Sequence, residues 1–133
     1  MTPEGIIKKQ ICDWLAYQRK DIFFWINSSV GIYDPGRGMF RRPNSPYQIK
    51  GTADILGCYK GRIIAIEVKS KRGTLSIEQR QFLERISSMG GLGIIARSIE
   101  DVQKALERYD EILKSERNPN DNLNIDQEKQ KKP

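Results

Sequence analysis

Apolar and polar positions divide the chain into alternating helical and extended stretches. Near the N-terminus, Ile7, Ile11, Trp14 and Leu15 recur at helical spacing, marking one face of a 3.6-residue period. Thr2-Pro3-Glu4 stands just before them. It supplies a capping oxygen, a proline suited to the first helical position and an acid in the first turn. The pattern predicts a helix from about Pro3 to Arg19. Asp21-Ile-Phe-Phe-Trp-Ile-Asn27 reads as a strand from its β-branched and aromatic content. Ser28 to Lys50 carries Gly31, Pro35, Gly36, Gly38, Pro43 and Pro46. That stretch cannot be regular throughout and is predicted as a long, functional or mobile loop. Two apolar runs, Ala53–Tyr59 and Arg62–Lys69, flank Lys60-Gly61, the signature of a tight hairpin. Ser76-Ile-Glu-Gln79 is a capping box before a helix of about Ile77 to Met89, with Phe82, Leu83 and Ile86 on its apolar face. Gly90-Gly91 ends that helix. Leu92 to Arg97 is predicted as a short buried strand. Ser98 caps a last helix, Ile99 to about Lys114, with the stripe Val102, Ala105, Leu106, Tyr109, Ile112 and Leu113.

The hairpin dictates where its acids fall. A two-residue turn pairs Tyr59 with Arg62, Gly57 with Ile64, Ile55 with Ile66 and Asp54 with Glu67. Directly opposed side chains lie roughly 5 Å apart, where like charges repel. Period two also puts Lys69 on the face of Glu67. Two carboxylates and an ammonium therefore converge at the open end of an otherwise apolar hairpin. A hard divalent cation such as Mg²⁺ tolerates that cluster, since it takes carboxylate oxygens and keeps several waters. A surface salt bridge to Lys69 is the plainer reading. Glu4 falls on the inward stripe of the first helix. It either favours the helix dipole or adds a third carboxylate to the site. Gln79 lies on the inward face of its helix, either as half of the capping box or as an amide aimed at the acids.

Charge sharpens the picture. The 133 residues carry a net charge of +6. Arg37 to Arg72 holds nine basic residues against only Asp54 and Glu67, a net +7. A basic zone around an acidic pair suggests a polyanion, most simply nucleic acid. In the loop, Arg37, Arg41, Arg42 and Lys50 interleave with Tyr33, Phe40 and Tyr47, which suits phosphate contacts with some stacking. Lys71 and Arg80 are placed to meet phosphate near the strand ends. Two Cys in unrelated contexts and no His disfavour zinc and exclude imidazole catalysis. Reduced thiols suggest an intracellular protein. No apolar run approaches the roughly 20 residues of a membrane span, and no secretion signal is visible. From Ser115 the chain is polar, with little to bury, and is predicted as a disordered tail over 115–133.

Taken together, Asp54, Glu67-Val68-Lys69, Gln79 and Glu4 resemble the signature of the PD-(D/E)XK nuclease superfamily. The fuller context is Gly51-Thr-Ala-Asp54 opening a strand, Ile66-Glu-Val-Lys69 closing the next and Leu75-Ser-x-x-Gln79 opening a helix. This set is similar to the virus-type replication-repair nuclease (VRR-NUC) family over about Glu4 to Leu106. Thr52-Ala53 stands where that family often has a proline before the aspartate. The resemblance implies an α/β fold with a restriction-endonuclease-like core: helix, three strands, helix, strand, in a mixed central sheet flanked by helices, and here a further C-terminal helix. It implies one nuclease domain over residues 1–114.

The same resemblance implies phosphodiester hydrolysis with Mg²⁺ or Mn²⁺. Asp54, Glu67 and the Val68 carbonyl would hold the ion, with Glu4 directly or through water. Lys69 would orient or activate water, and Gln79 would steady the site. It further implies a homodimer cutting branched DNA, such as Holliday junctions or flaps, in DNA repair within a bacterial or phage-infected cytoplasm. Two other readings stay open: a non-catalytic DNA-binding or assembly module on a nuclease-like fold, and a restriction-type nuclease reading a short sequence.

Overall fold

In the computed structural model, described for residues 1–27, 32–41 and 45–131 (side chains at 32, 33, 40, 41 and 117–131 excepted), three helices and a mixed sheet make an α/β fold. The chain begins with α1 (Pro3–Gln18), opened by Thr2, whose Oγ1 accepts the Gly5 N–H at 3.0 Å. Strand β1 (Ile22–Ile26) follows. Next comes a separate two-stranded sheet, β2 (Ile32–Asp34) and β3 (Met39–Arg41). The hairpin is β4 (Ile55–Tyr59) and β5 (Arg62–Val68). Then come α2 (Ile77–Ser88), β6 (Leu92–Ala96) and α3 (Ile99–Lys131).

The main sheet runs β1-β4-β5-β6. β1, β4 and β5 are antiparallel neighbours, and β6 joins β5 in parallel after crossing over through α2. The hairpin register is the predicted one: Tyr59 opposes Arg62, Gly57 opposes Ile64 and Ile55 opposes Ile66. Its turn holds Lys60 at φ 51° and Gly61 at φ 76°, both positive as a type I′ turn requires.

Alternation along β5 assigns the two faces. Ile64, Ile66 and Val68 are buried with Ile11, Leu15, Val102 and Leu106 beneath α1 and α3. Ala65 and Glu67 face the other way, toward α2. There Ala65 packs with Ala53 and Leu83, next to the half-buried Leu56, Phe82 and Ile86. Small residues let α2 sit close: a Cβ on Gly93, which pairs with Ala65, would come within 2.8 Å of the Leu83 carbonyl oxygen. At the hairpin's turn end, the Tyr59 hydroxyl donates to Asp110 at 2.7 Å and ties β4 to α3.

Two departures from the sequence reading concern the less regular parts. The Ser28–Lys50 stretch contains the short β2–β3 hairpin around Pro35–Gly38. Asp34 organises that turn by accepting the Gly36 N–H at 3.0 Å, an Asx-type device. Helical backbone in α3 runs on past Lys114 to Lys131, through most of the stretch read from sequence as a polar tail.

Candidate metal and phosphate site

Asp54 precedes β4, and Glu67 is the penultimate residue of β5. The Asn27 N–H donates to the Asp54 backbone carbonyl at 2.8 Å, so Asp54 continues the sheet beside the end of β1. Its side chain turns to β5, where Oδ2 accepts the Val68 N–H at 2.9 Å. Val68 closes β5 with its side chain in the core.

Glu67 is the one buried charged residue among those described, 3 % exposed. Its Oε1 accepts from Gln79 Nε2 at 2.9 Å and lies 3.9 Å from Lys69 Nζ. Its Oε2 is buried with no hydrogen-bond partner. Burial, and then the neighbouring Asp54 charge, push the Glu67 carboxyl up to about 7, against a pull downward from Lys69. A buried carboxylate oxygen left bare is costly. It is the kind of atom that a cation would satisfy.

Gln79 resolves the alternative left open by the sequence, because it does both jobs. Its Oε1 accepts the Ser76 N–H at 2.9 Å, while the Ser76 hydroxyl accepts the Gln79 N–H at 3.1 Å. That reciprocal cap commits the amide oxygen to the helix end. The amide nitrogen is thereby aimed at Glu67.

Glu4 reaches from α1 to the turn that follows Lys69. Its Oε1 lies where a Cβ on Gly73 would approach it to 3.1 Å, beside the Ser70 hydroxyl and the Lys69 stem. It does not complete a ligand trio: among the described residues no three acidic, thiol or imidazole groups converge closely enough to hold an ion. The residues present fit Mg²⁺ or Mn²⁺ through two carboxylates, Asp54 and Glu67, the latter with an unpartnered oxygen. Such ions are held by one or two carboxylates and retain several waters.

Two contributions were missed from sequence. Arg97, just past β6, donates through Nη1 to the backbone carbonyls of Ser70 and Gly73, the latter at 2.8 Å. It clamps the turn that follows Lys69. Nothing in the spacing of Arg97 signalled this, because the contact spans 24 and 27 residues. Gly51, at φ 79°, touches the first turn of α2 so closely that a Cβ would fall 2.5 Å from the Gln79 nitrogen. Its place before Asp54 was visible, but its contact with Gln79 was not.

Of the basic residues expected to meet phosphate, Lys50, Lys71 and Arg80 are exposed. Lys50 adjoins Gly51 at the first turn of α2, which Arg80 also flanks, and Lys71 lies in the turn after β5. Arg37 is exposed in the β2–β3 turn, 3.8 Å from Asp34. Arg41 ends β3, with its side chain undescribed, and Arg42 lies outside the described residues. No helix of the described residues is long and apolar enough to cross a membrane. In comparisons with known proteins, no family model matches this chain, and no curated protein matches it.

Proposed function

We propose that this chain is a divalent-metal-dependent endonuclease of the PD-(D/E)XK kind, resembling the VRR-NUC family, that hydrolyses phosphodiester bonds in branched DNA. The observation that carries this reading is the bare, buried Oε2 of Glu67 beside Asp54, with Lys69 and Gln79 on its other oxygen. Three helices around a mixed four-stranded sheet give the α/β class this reading requires; the restriction-endonuclease-like core is part of the proposal.

Asp54 and Glu67 would hold Mg²⁺ or Mn²⁺ with help from the Val68 carbonyl, and Glu4 would act through water. A bound ion of this type supplies Lewis-acid polarisation of the phosphoryl oxygen and lowers the pKa of its water. The protein's own groups do the positioning. Gln79 fixes Glu67 through one oxygen, so the other would be free to hold an ion. The Val68 N–H fixes Asp54. Lys69, 12 % exposed at its side chain, sits beside the carboxylates, where its ammonium offsets charge on the phosphate and orients the attacking water. Lys50, Lys71 and Arg80 would hold flanking phosphates. A two-fold dimer would present paired sites to two strands of a junction.

Incubation with junction, flap, splayed and linear DNA, with Mg²⁺ and with Mn²⁺, tests this. Wild-type protein is expected to cut branched substrates, and Glu67→Ala to bind them without cutting. Cleavage by purified Glu67→Ala at the wild-type rate would overturn the assignment.

A further inference from the structure

We propose that Phe23 and Trp25 form an aromatic platform that stacks an unpaired nucleobase of the strand whose phosphate lies at Asp54 and Glu67. The inference rests on the nucleic-acid reading of that site and adds how an unpaired strand is held.

Register places the two rings. On β1, Ile22 and Phe24 turn toward the core beneath α1 and α3. Phe23 and Trp25 turn to the opposite face, 72 % and 42 % exposed. Trp25 opposes Leu56, and Phe23 opposes Cys58. Leu56 packs toward Ala65 and Leu83 on that face, and Asp54, just before β4, accepts the Asn27 N–H through its backbone carbonyl. The Trp25–Leu56 row therefore lies next to the Asn27–Asp54 row, two residues or roughly 6.7 Å away along the strand. α2 packs chiefly on β5 and β6, leaving the β1 part of this face open among the described residues. The rings touch, with centroids 5.7 Å apart and planes tilted by 51°.

Their size and chemistry favour a base over a second protein copy. Buried aromatic side chains cover about 150–250 Å² each, so two supply well under the roughly 800 Å² per partner of a stable interface. A base needs only one or two π faces. Single-strand binding surfaces commonly pair such rings with a basic track along the backbone. Lys50, next to Gly51 where it meets α2, and Lys71, in the turn after β5, are exposed near the same open end of the hairpin.

The chain has two tryptophans, so Trp14→Phe leaves Trp25 as the sole indole reporter. Oligothymidylate and a blunt duplex are titrated into this full-length variant without divalent metal, following emission and anisotropy. Single-stranded DNA should quench Trp25. Adding Trp25→Ala should weaken its binding about tenfold, while duplex binding changes less than about twofold; Trp25→Phe should retain most of the affinity. Unchanged emission, or equal loss on both DNAs, overturns the platform. So does sedimentation showing that Trp25→Ala splits a dimer, which would assign the face to a second copy. If Trp25→Ala fails to fold by circular dichroism, quenching and the Trp25→Phe result decide. The readout is metal-free binding, so its failure is distinct from loss of hydrolysis, which Glu67→Ala reports.

Discussion

At the scale of single residues, the chemistry gathers on Glu67. Its carboxyl sits near 7 when folded, against 4.5 for an ordinary glutamate, because it is buried beside Asp54. The native state therefore binds more protons than the unfolded chain between those values, and stability falls as pH rises through that window. Without divalent cation, thermal unfolding should show a loss of up to about 3 kcal/mol from this group between about pH 4.5 and 7. Above that window the group contributes no further change. Glu67→Gln should remove most of this slope, and added Mn²⁺ should restore wild-type stability near pH 8. A wild-type profile that stays flat across the window, or that rises, would contradict the burial of an ionisable group here. Much of this residue's surroundings was legible in the sequence. Counting from Lys60-Gly61 carried the register to Ile55 opposite Ile66, one residue short of Asp54 and Glu67, and alternation set Lys69 beside Glu67. The orphaned Oε2 was not legible, because it depends on how deeply α2 covers β5.

At the scale of elements, the site is where three pieces of chain meet end-on: the start of β4, the end of β5 and the N-terminus of α2. Gly51 is the contact point. A methyl group there would strike the Glu78 and Gln79 backbone within about 2.5 Å, and the residue's φ of 79° disfavours any side chain. Gly51→Ala should destabilise by at least about 1–2 kcal/mol in denaturant unfolding. It should also weaken Mn²⁺ binding by calorimetry, since Gln79 must move away from Glu67. Wild-type metal affinity in a folded Gly51→Ala protein would show that the α2 terminus does not set the site. The elements themselves were readable wherever period and caps agreed, as in α1, α2 and the β4–β5 hairpin. The β2–β3 hairpin was hidden because its glycines and prolines read as loop, and its strands are only three residues each. Pro119 and the run of Asn and Asp around it gave no reason to extend α3, yet its backbone continues to Lys131.

At the scale of the molecule, charge and topology act together. The basic excess was visible in the sequence as a net +7 between Arg37 and Arg72. How those charges are arranged depends on the fold, which sets Lys50 beside the Gly51 contact with α2 and puts Arg37 in the turn of a separate small hairpin. Binding to branched DNA should weaken with salt. Each phosphate interaction removed by replacing Lys50, Lys71 or Arg80 with alanine should flatten the log–log slope by about 0.9. Arg37→Ala measures whether the β2–β3 sheet shares the DNA. A slope unchanged in the triple alanine variant would move the DNA path away from this end of the sheet.

The doubly engaged Gln79 has a thermodynamic corollary. One amide holds the first turn of α2 and steadies Glu67, so fraying of that turn and loosening of the acid are a single event. Occupancy by a cation at Glu67 should then slow hydrogen exchange at the start of this helix, through Gln79 rather than through any ligand from the helix backbone.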